Sequence, residues 1–294
     1  MAQTALPPEA RAHELAVWLA AQGDYARAID ELRRWEYETR SMPTVAGEAA
    51  FAVGACYQRG QEWERAARAY RYFFATYPQH PRAPEAAFRV IECLFASGQH
   101  AEAVRACREY LQSYPGGMFT DDAAFLSALA EFLAGHWKEA AEGFAALQRQ
   151  HADSPLSPTA ARLQAAAAQG AKVRRRSPAT ALLLSSLLPG AGQVYAGRQK
   201  DGLMAFLVNG VFGYLTYDRF RAGSASAAIP LLAVEASFYA GNAYGAGNAA
   251  LSENRRRQEE YILKTMEPLR PQLRTTLGHP ERLQIRLEDL TPTP

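Results

Sequence analysis

Apolar and polar positions follow two different rules along this chain. Through residues 8–170 apolar side chains recur every three or four positions among polar ones, the spacing of one helix face, which predicts a succession of amphipathic helices. Between residues 179 and 250 the polar positions thin out, leaving three apolar segments at 179–188, 203–217 and 227–250 that are rich in glycine and poor in charge. Beyond residue 250 the chain turns polar again. Residues 253–266 are expected to form an exposed helix, Pro268, Pro271 and Pro280 to interrupt the stretch after it, and 283–290 to form one short strand or an ordered tail.

The helical stretch repeats itself. An aromatic residue or histidine followed three positions later by alanine occurs at Tyr25 and Ala28, Trp63 and Ala66, His100 and Ala103, and Trp137 and Ala140, a period of roughly 37 to 38 residues. Gly23, Gly98 and Gly135 lie two residues before these positions, with Gly60 displaced by one, and Leu32, Tyr70, Cys107 and Phe144 lie four residues after the alanine. Pro43, Pro78, Pro115 and Pro155 close the units. Each unit reads as a helical hairpin whose first helix ends at a glycine, where left-handed backbone geometry costs little. In the returning helix the alanine permits close approach and the larger residue one turn on fills the groove. A lone hairpin cannot bury its apolar face, so the units are expected to stack as a solenoid, with 160–169 as a capping helix.

Val53-Gly54-x-x-Tyr57, Ala66, Tyr70 and Pro78 of the second unit resemble the tetratricopeptide repeat. The longer period and the run Phe73-Phe74-Ala75-Thr76-Tyr77-Pro78-Gln79-His80-Pro81 are similar to repeats of bacterial envelope proteins of the outer-membrane assembly lipoprotein and Tol-Pal-associated type. The resemblance covers about residues 8–170 and implies a concave surface that grips a peptide or another protein. Arg68, Arg71, Arg89, Arg105 and Arg108 recur on the helices of units two and three as a candidate groove for an acidic partner; the alternative is a solvated charged face.

The apolar third is bracketed by Lys172, Arg174, Arg175 and Arg176 on one side and Arg255, Arg256 and Arg257 on the other, as in a small helical membrane unit. Residues 171–178 read as a basic linker whose cations would sit at the level of anionic headgroups. Segment 179–188 is too short to cross a bilayer before Pro189 and Gly190 break it, and reads as re-entrant or interfacial. Residues 202–217 and 227–250 are the crossing candidates, joined by a polar turn at 218–226. Pro189, Gly190, Gly192, Gln193, Tyr195 and Gly197 stand in a run that resembles the glycine-rich turn of TM2-type two-helix membrane domains, over about residues 178–220. Glu235 lies mid-segment, with Asn209 or Gln193 as candidate partners and Asn242 further along the same segment. A neutral, hydrogen-bonded Glu235 between packed helices is the plainer reading. Gly241 and Gly245 offer a small-residue face, expected to pack against Gly210 and Gly213, with self-association as the alternative. A glycine-rich helical core of a soluble protein is the alternative for the whole region.

Charge and chemistry narrow the picture further. The net charge of +2 carries no general nucleic-acid signature. Cys56, Cys93 and Cys107 have neither metal spacing nor disulfide density and read as buried thiols, and His13, His80, His100, His136, His151 and His279 are scattered rather than paired as metal ligands. No GxSxG, HExxH or phosphate loop is present, and Gly190-Ala191-Gly192 lacks the third glycine of a dinucleotide fingerprint. The start MAQTALPPEA has no basic n-region or apolar h-region, so no signal peptide is expected, although a removed leader is compatible with it.

The expectation is therefore an all-α protein without catalytic site, metal or cofactor. Its parts are a repeat array at 1–170, a linker at 171–178, a membrane domain at 179–252, and a polar helix and tail at 253–294. Its role is a bacterial membrane-anchored adaptor, most simply at the inner membrane, that binds a protein or peptide partner and the lipid bilayer but no nucleic acid. The arginine flanks favour a cytoplasmic array and the envelope resemblance a periplasmic one. The rival reading is a membrane conduit or lipid-handling module with Glu235, Asn209 and Gln193 along a polar path.

Overall fold

The structure is a computed structural model that describes residues 8–269; the strand or tail expected at 283–290, and His279, lie outside the described residues. Four helical hairpins come first: α1 (Pro8–Ala21) with α2 (Tyr25–Glu38), α3 (Pro43–Arg59) with α4 (Trp63–Thr76), α5 (Ala83–Ala96) with α6 (His100–Ser113), and α7 (Thr120–Leu133) with α8 (Trp137–Gln150). Helix α9 (Ser157–Gly170) comes next. The described residues contain no strand and fall into two compact units. One takes in the residues up to Ala171 and those from Ile262 onward, and the other is Lys172–Tyr261.

The repeat register has a direct structural meaning. Tyr25, Trp63, His100 and Trp137 are the first residues of α2, α4, α6 and α8. Ala28, Ala66, Ala103 and Ala140, one turn further, are completely buried, and so nearly are Leu32, Tyr70, Cys107 and Phe144. Pro43, Pro84 and Pro158 sit in the first turn of α3, α5 and α9, where a fixed φ favours the helix and the missing N–H would have had no partner. Pro43 thus opens the second hairpin rather than closing the first.

The turns within the hairpins need one residue in the left-handed region. Gly23, Gly98 and Gly135 supply it, with φ of 79°, 73° and 75°. In the second hairpin the displaced Gly60 does not: its φ is −74°, and Gln61 takes the left-handed position at φ 61°.

Aromatic rings fill the spaces between helices of the array. Phe51 meets Tyr70 and Phe73 edge-on at 5.1 and 5.4 Å, Phe88 stacks on Phe119 at 4.6 Å, and Phe132 meets Trp137 at 5.2 Å. A buried polar chain ties the second hairpin to the third. The Tyr70 hydroxyl donates to Gln58 Oε1 at 2.8 Å, Gln58 Nε2 donates to Glu92 at 3.4 Å, and Arg89 donates to the same Glu92 oxygen at 2.8 Å. Each member is thereby satisfied where water is excluded. Cys56, Cys93 and Cys107 are free and buried, and burial pushes all three thiols above their ordinary range.

The second unit contains α10 (Pro178–Leu187), the short α11 (Ala191–Tyr195), α12 (Gln199–Arg221) and most of α13 (Ala225–Met266). Three expectations change here. The middle segment is longer than its apolar run, continuing through Asp218 to Arg221 before a turn at Gly223 with φ 74°. Residues 253–266 are not a separate exposed helix but the continuation of α13, in which Ile262 and Met266 are buried. No helix among the described residues is long and apolar enough to cross a membrane, so the complete crossings expected at 202–217 and 227–250 find no such helix. The physical reason lies in Asn209 and Thr216 on α12 and Glu235 and Asn242 on α13, polar residues that interrupt each apolar run.

The array's packing can be tested at two positions. A Cβ at Gly54 would stand 2.7 Å from the Tyr70 ring, so Gly54→Ala should destabilise the fold by about 1–3 kcal/mol in urea denaturation followed by circular dichroism. His100 packs edge-on against Phe95 at 5.3 Å with Nδ1 buried and unpartnered among the described residues, and burial lowers its pKa below the ordinary 6.5. The unfolded chain therefore takes up a proton that the folded one resists, so this contribution to stability is intact above about pH 6.5 and is lost as pH falls below it. His100→Phe should flatten that acid-side slope, gaining more stability over wild type at about pH 5 than at about pH 8.

Candidate functional site

Arginines on the second helices of the hairpins form the array's most distinctive surface. Counting from the first residue of each second helix, the ninth position is Arg33 in α2, Arg71 in α4 and Arg108 in α6, one step past the buried residue that anchors each helix. Burial of the preceding position turns this one outward, so three arginines recur at equivalent places along the array.

They do not share one environment. Arg33, Arg65 and Arg68 line an open pocket of about 520 Å³ together with Tyr57, Tyr72 and Glu36. Arg33 donates to the Tyr57 hydroxyl at 3.2 Å. Glu36 accepts from the Tyr72 and Tyr77 hydroxyls at 2.8 and 2.9 Å, and burial together with that carboxylate raises both phenols so that they remain donors. Arg65 pairs with Glu62, whereas Arg68 has no carboxylate partner among the described residues. Three arginines, one of them paired with Glu62, thus line one pocket with a carboxylate already held by two tyrosine hydroxyls.

Arg105 and Arg108 line a second pocket, of about 320 Å³, with His100, Glu131, His136 and Glu139. Its charges are largely matched: Glu131 lies 3.5 Å from Arg108 and 2.7 Å from His136 Nδ1, and Arg105 lies 3.7 Å from Glu102. Arg71 sits apart from both pockets, 4.0 Å from Glu102. Arg89 does not belong to this surface at all. It is largely buried between Glu85 at 3.3 Å and Glu92 at 2.8 Å, because its position on α5 faces the neighbouring helices. Of the five arginines expected to form one groove, the structure therefore separates Arg68 from Arg105 and Arg108 and removes Arg89. Arg33 and Arg65, absent from the expected groove, complete the cationic pocket. The equivalence of Arg33 with Arg71 and Arg108 is the sequence signal that marks the first of them.

The second unit is organised by the glycine-rich run. Gly190 has φ 88°, and a Cβ there would lie 2.0 Å from the Gly202 carbonyl; a Cβ at Gly192 would lie 1.9 Å from the Ala181 carbonyl. Both positions are backbone crossings with no room for a side chain. Close approach lets the Gly192 N–H donate to Ser185 Oγ at 3.0 Å, and Ser185 in turn donates to Gln193 Oε1 at 2.8 Å. Gln193 Nε2 donates to the Asn242 backbone oxygen at 2.9 Å and to its side-chain Oδ1 at 2.6 Å. The Tyr195 hydroxyl accepts from Ser177 N at 3.1 Å, while Gly197, at φ 88°, turns the chain into α12. Around this network pack Ala181, Ala196, Ala246, Ala249 and Ala250. Pro189 joins α10 to α11 within the same run.

Glu235 is half-buried, and its Oε2 has no hydrogen-bond partner among the described residues. It meets neither of the partners expected for it, since Gln193 is engaged by Ser185 and Asn242, and Asn209 donates to Ala205 O of its own helix at 2.6 Å. The glycine packing also differs from expectation. A Cβ added at Gly210, Gly213 or Gly241 would meet nothing within 4 Å among the described residues, and at Gly245 only the Gln193 side chain at 4.0 Å. These glycines therefore do not bring α12 and α13 into close contact; α13 approaches the motif instead through Asn242 and Ala246.

A chain of stacked helical hairpins is, as a class, a helical-repeat protein. The comparison with known families agrees: the tetratricopeptide repeat model matches residues 48–80 and 85–117, the second and third hairpins, and the array is similar to proteins built from that repeat. No curated protein matches the chain. Tetratricopeptide repeats generally mediate protein–protein interaction, which is the coarse role this resemblance supports.

The glycine-rich run yields a direct check. Gly192→Ala should disrupt the second unit while sparing the array, because the new methyl group collides with backbone rather than with a movable side chain. Limited proteolysis should then cut within residues 172–261 and leave a fragment containing the four hairpins.

Proposed function

We propose that the chain is an adaptor that binds an acidic protein or peptide on its repeat array and is held at a membrane by its second unit. The observation that carries the first part is that Arg33, Arg65 and Arg68 line one open pocket together with Tyr57 and Tyr72. Guanidinium groups pair with carboxylates through directed, charge-assisted hydrogen bonds, and the neighbouring rings supply apolar area to the residues flanking the acid. The matched charges around Arg105 and Arg108 make that second pocket the weaker candidate.

Support for the second part is the composition of the surface and interior of residues 172–261. Nineteen of the 27 exposed large apolar side chains among the described residues lie in this unit, among them Leu183, Leu203, Phe206, Val211, Ile229 and Phe238. Its interior holds Ser185, Gln193, Asn209, Thr216 and Asn242 instead. Water-exposed units ordinarily place these two groups the other way round, and an apolar patch of this extent marks an interaction or membrane surface. Tethering concentrates whatever the array holds without any bond-making chemistry.

The rival, a conduit along the polar interior, has only Glu235 and the unpaired atoms of Asn209 and Asn242 in its favour among the described residues. The adaptor reading is tested by fluorescence anisotropy with labelled peptides rich in aspartate and glutamate, against neutral peptides of equal length. Acidic peptides should bind preferentially, more weakly as salt rises, and the double variant Arg33→Glu with Arg68→Glu should lose at least about tenfold in affinity with unchanged circular dichroism. Equal binding of acidic and neutral peptides would sink it.

A further inference from the structure

The basic residues that bracket the apolar third come together at one end of the second unit. Asn254 on α13 reads the backbone of Arg176 like a neighbouring strand, accepting from its N–H at 2.7 Å and donating to its carbonyl at 2.8 Å. Arg257 donates to the Arg174 carbonyl at 3.5 Å, and Arg198, at the start of α12, donates to Ser252 at 3.2 Å. Three segments far apart in sequence are thereby clasped around the same end.

The charges at that end divide into two sets. Arg256 and Arg257 are held by Glu253, whose carboxyl they draw down to about 2, and Arg198 faces Asp201 at 3.6 Å. Arg174, Arg175, Lys200 and Arg255 have no carboxylate partner among the described residues, and all four are exposed. The opposite end, at the turn between α12 and α13, carries Arg219, 3.9 Å from Asp218, and an exposed Arg221 without a carboxylate partner among the described residues. Four unpaired cations thus form a collar at one end against a single one at the other, with exposed apolar helix faces between them.

We infer that this collar is a docking site for the anionic phosphates of a lipid bilayer, seating the second unit on the membrane by one defined end. Such docking rests on the membrane part of the proposed function and adds to it the lipid class and the orientation. Charge complementarity selects the occupant: several cations clustered beside apolar surface attract anionic headgroups, and the apolar faces then enter the region beneath them. Nucleic acid would satisfy the cations but leave those apolar faces in water.

The experiment is flotation of the full chain with vesicles of phosphatidylcholine alone, or of phosphatidylcholine doped with phosphatidylglycerol. The expected result is binding to both, tighter to the doped vesicles by at least about tenfold at low salt. Substituting Arg174, Arg175, Lys200 and Arg255 together with glutamine should abolish that preference, weakening binding to doped vesicles by at least about tenfold and leaving binding to neutral vesicles unchanged. Arg219→Gln with Arg221→Gln, at the other end, should have little effect. Equal binding of wild type to the two vesicle types, or an equal loss from the two sets of variants, overturns the collar while the membrane reading stands. Failure to float with either vesicle removes the membrane reading itself, and stronger retention by duplex DNA than by doped vesicles overturns the choice of lipid.

Discussion

Close approach of helices at alanine is the constraint on which the array depends. Ala28, Ala66, Ala103 and Ala140 have no exposed surface, and each lies one turn into a second helix, where any larger side chain would push the hairpin apart. The bulk needed to fill the remaining space is supplied one turn later by Leu32, Tyr70, Cys107 and Phe144, so a small contact and a large one alternate along every returning helix. The same trade appears between helices of the second hairpin, where the absence of a side chain at Gly54 makes room for the Tyr70 ring. That ring in turn delivers its hydroxyl to Gln58 and so connects the packing to the buried Glu92 and Arg89. Geometry of this kind repeats because each hairpin must present to the next the same surface that it receives from the previous one.

The second unit solves a different problem with the same small residues. Gly190, Gly192 and Gly202 bring backbones so close that the interior has room only for alanine and for a short hydrogen-bonded chain through Ser185, Gln193 and Asn242. Large apolar side chains are left outside, on exposed faces of the unit. The polar residues that lower the hydropathy of α12 and α13 include Asn209, Thr216 and Asn242, all turned inward. Each of these helices therefore has two faces of opposite character.

Set together, the two units divide the work that the proposed function requires. The array offers cations and tyrosines in one pocket, a combination suited to carboxylates carried on a chain, while the second unit offers cations beside bare apolar helix, a combination suited to phosphates carried on a lipid. Both surfaces use arginine, but the neighbours decide what each can hold. Arg89, buried between Glu85 and Glu92, has the same chemistry as Arg68 and serves only the fold.

The repeat was legible in the sequence because its constraints are local: the residues at Tyr25, Trp63, His100 and Trp137 mark helix starts, and the alanine and the bulky residue after each follow from helical geometry alone. The left-handed turn residue was legible wherever glycine filled it and misplaced at Gly60, since only the backbone path reveals that Gln61 bears the strain. Which arginines share a pocket was not legible, because Arg33 and Arg68 lie on different helices and their distance depends on how hairpins stack. The open space around Gly210, Gly213 and Gly241 was equally hidden; a glycine in a helix announces that close contact is permitted, not that it is made. Nor does anything along the chain relate residue 176 to residue 254. Sequence determined the helices, their period and the two contrasting compositions, which are properties of neighbours a turn or two apart; tertiary structure decided which charges meet, because that depends on contacts between residues the chain itself keeps apart.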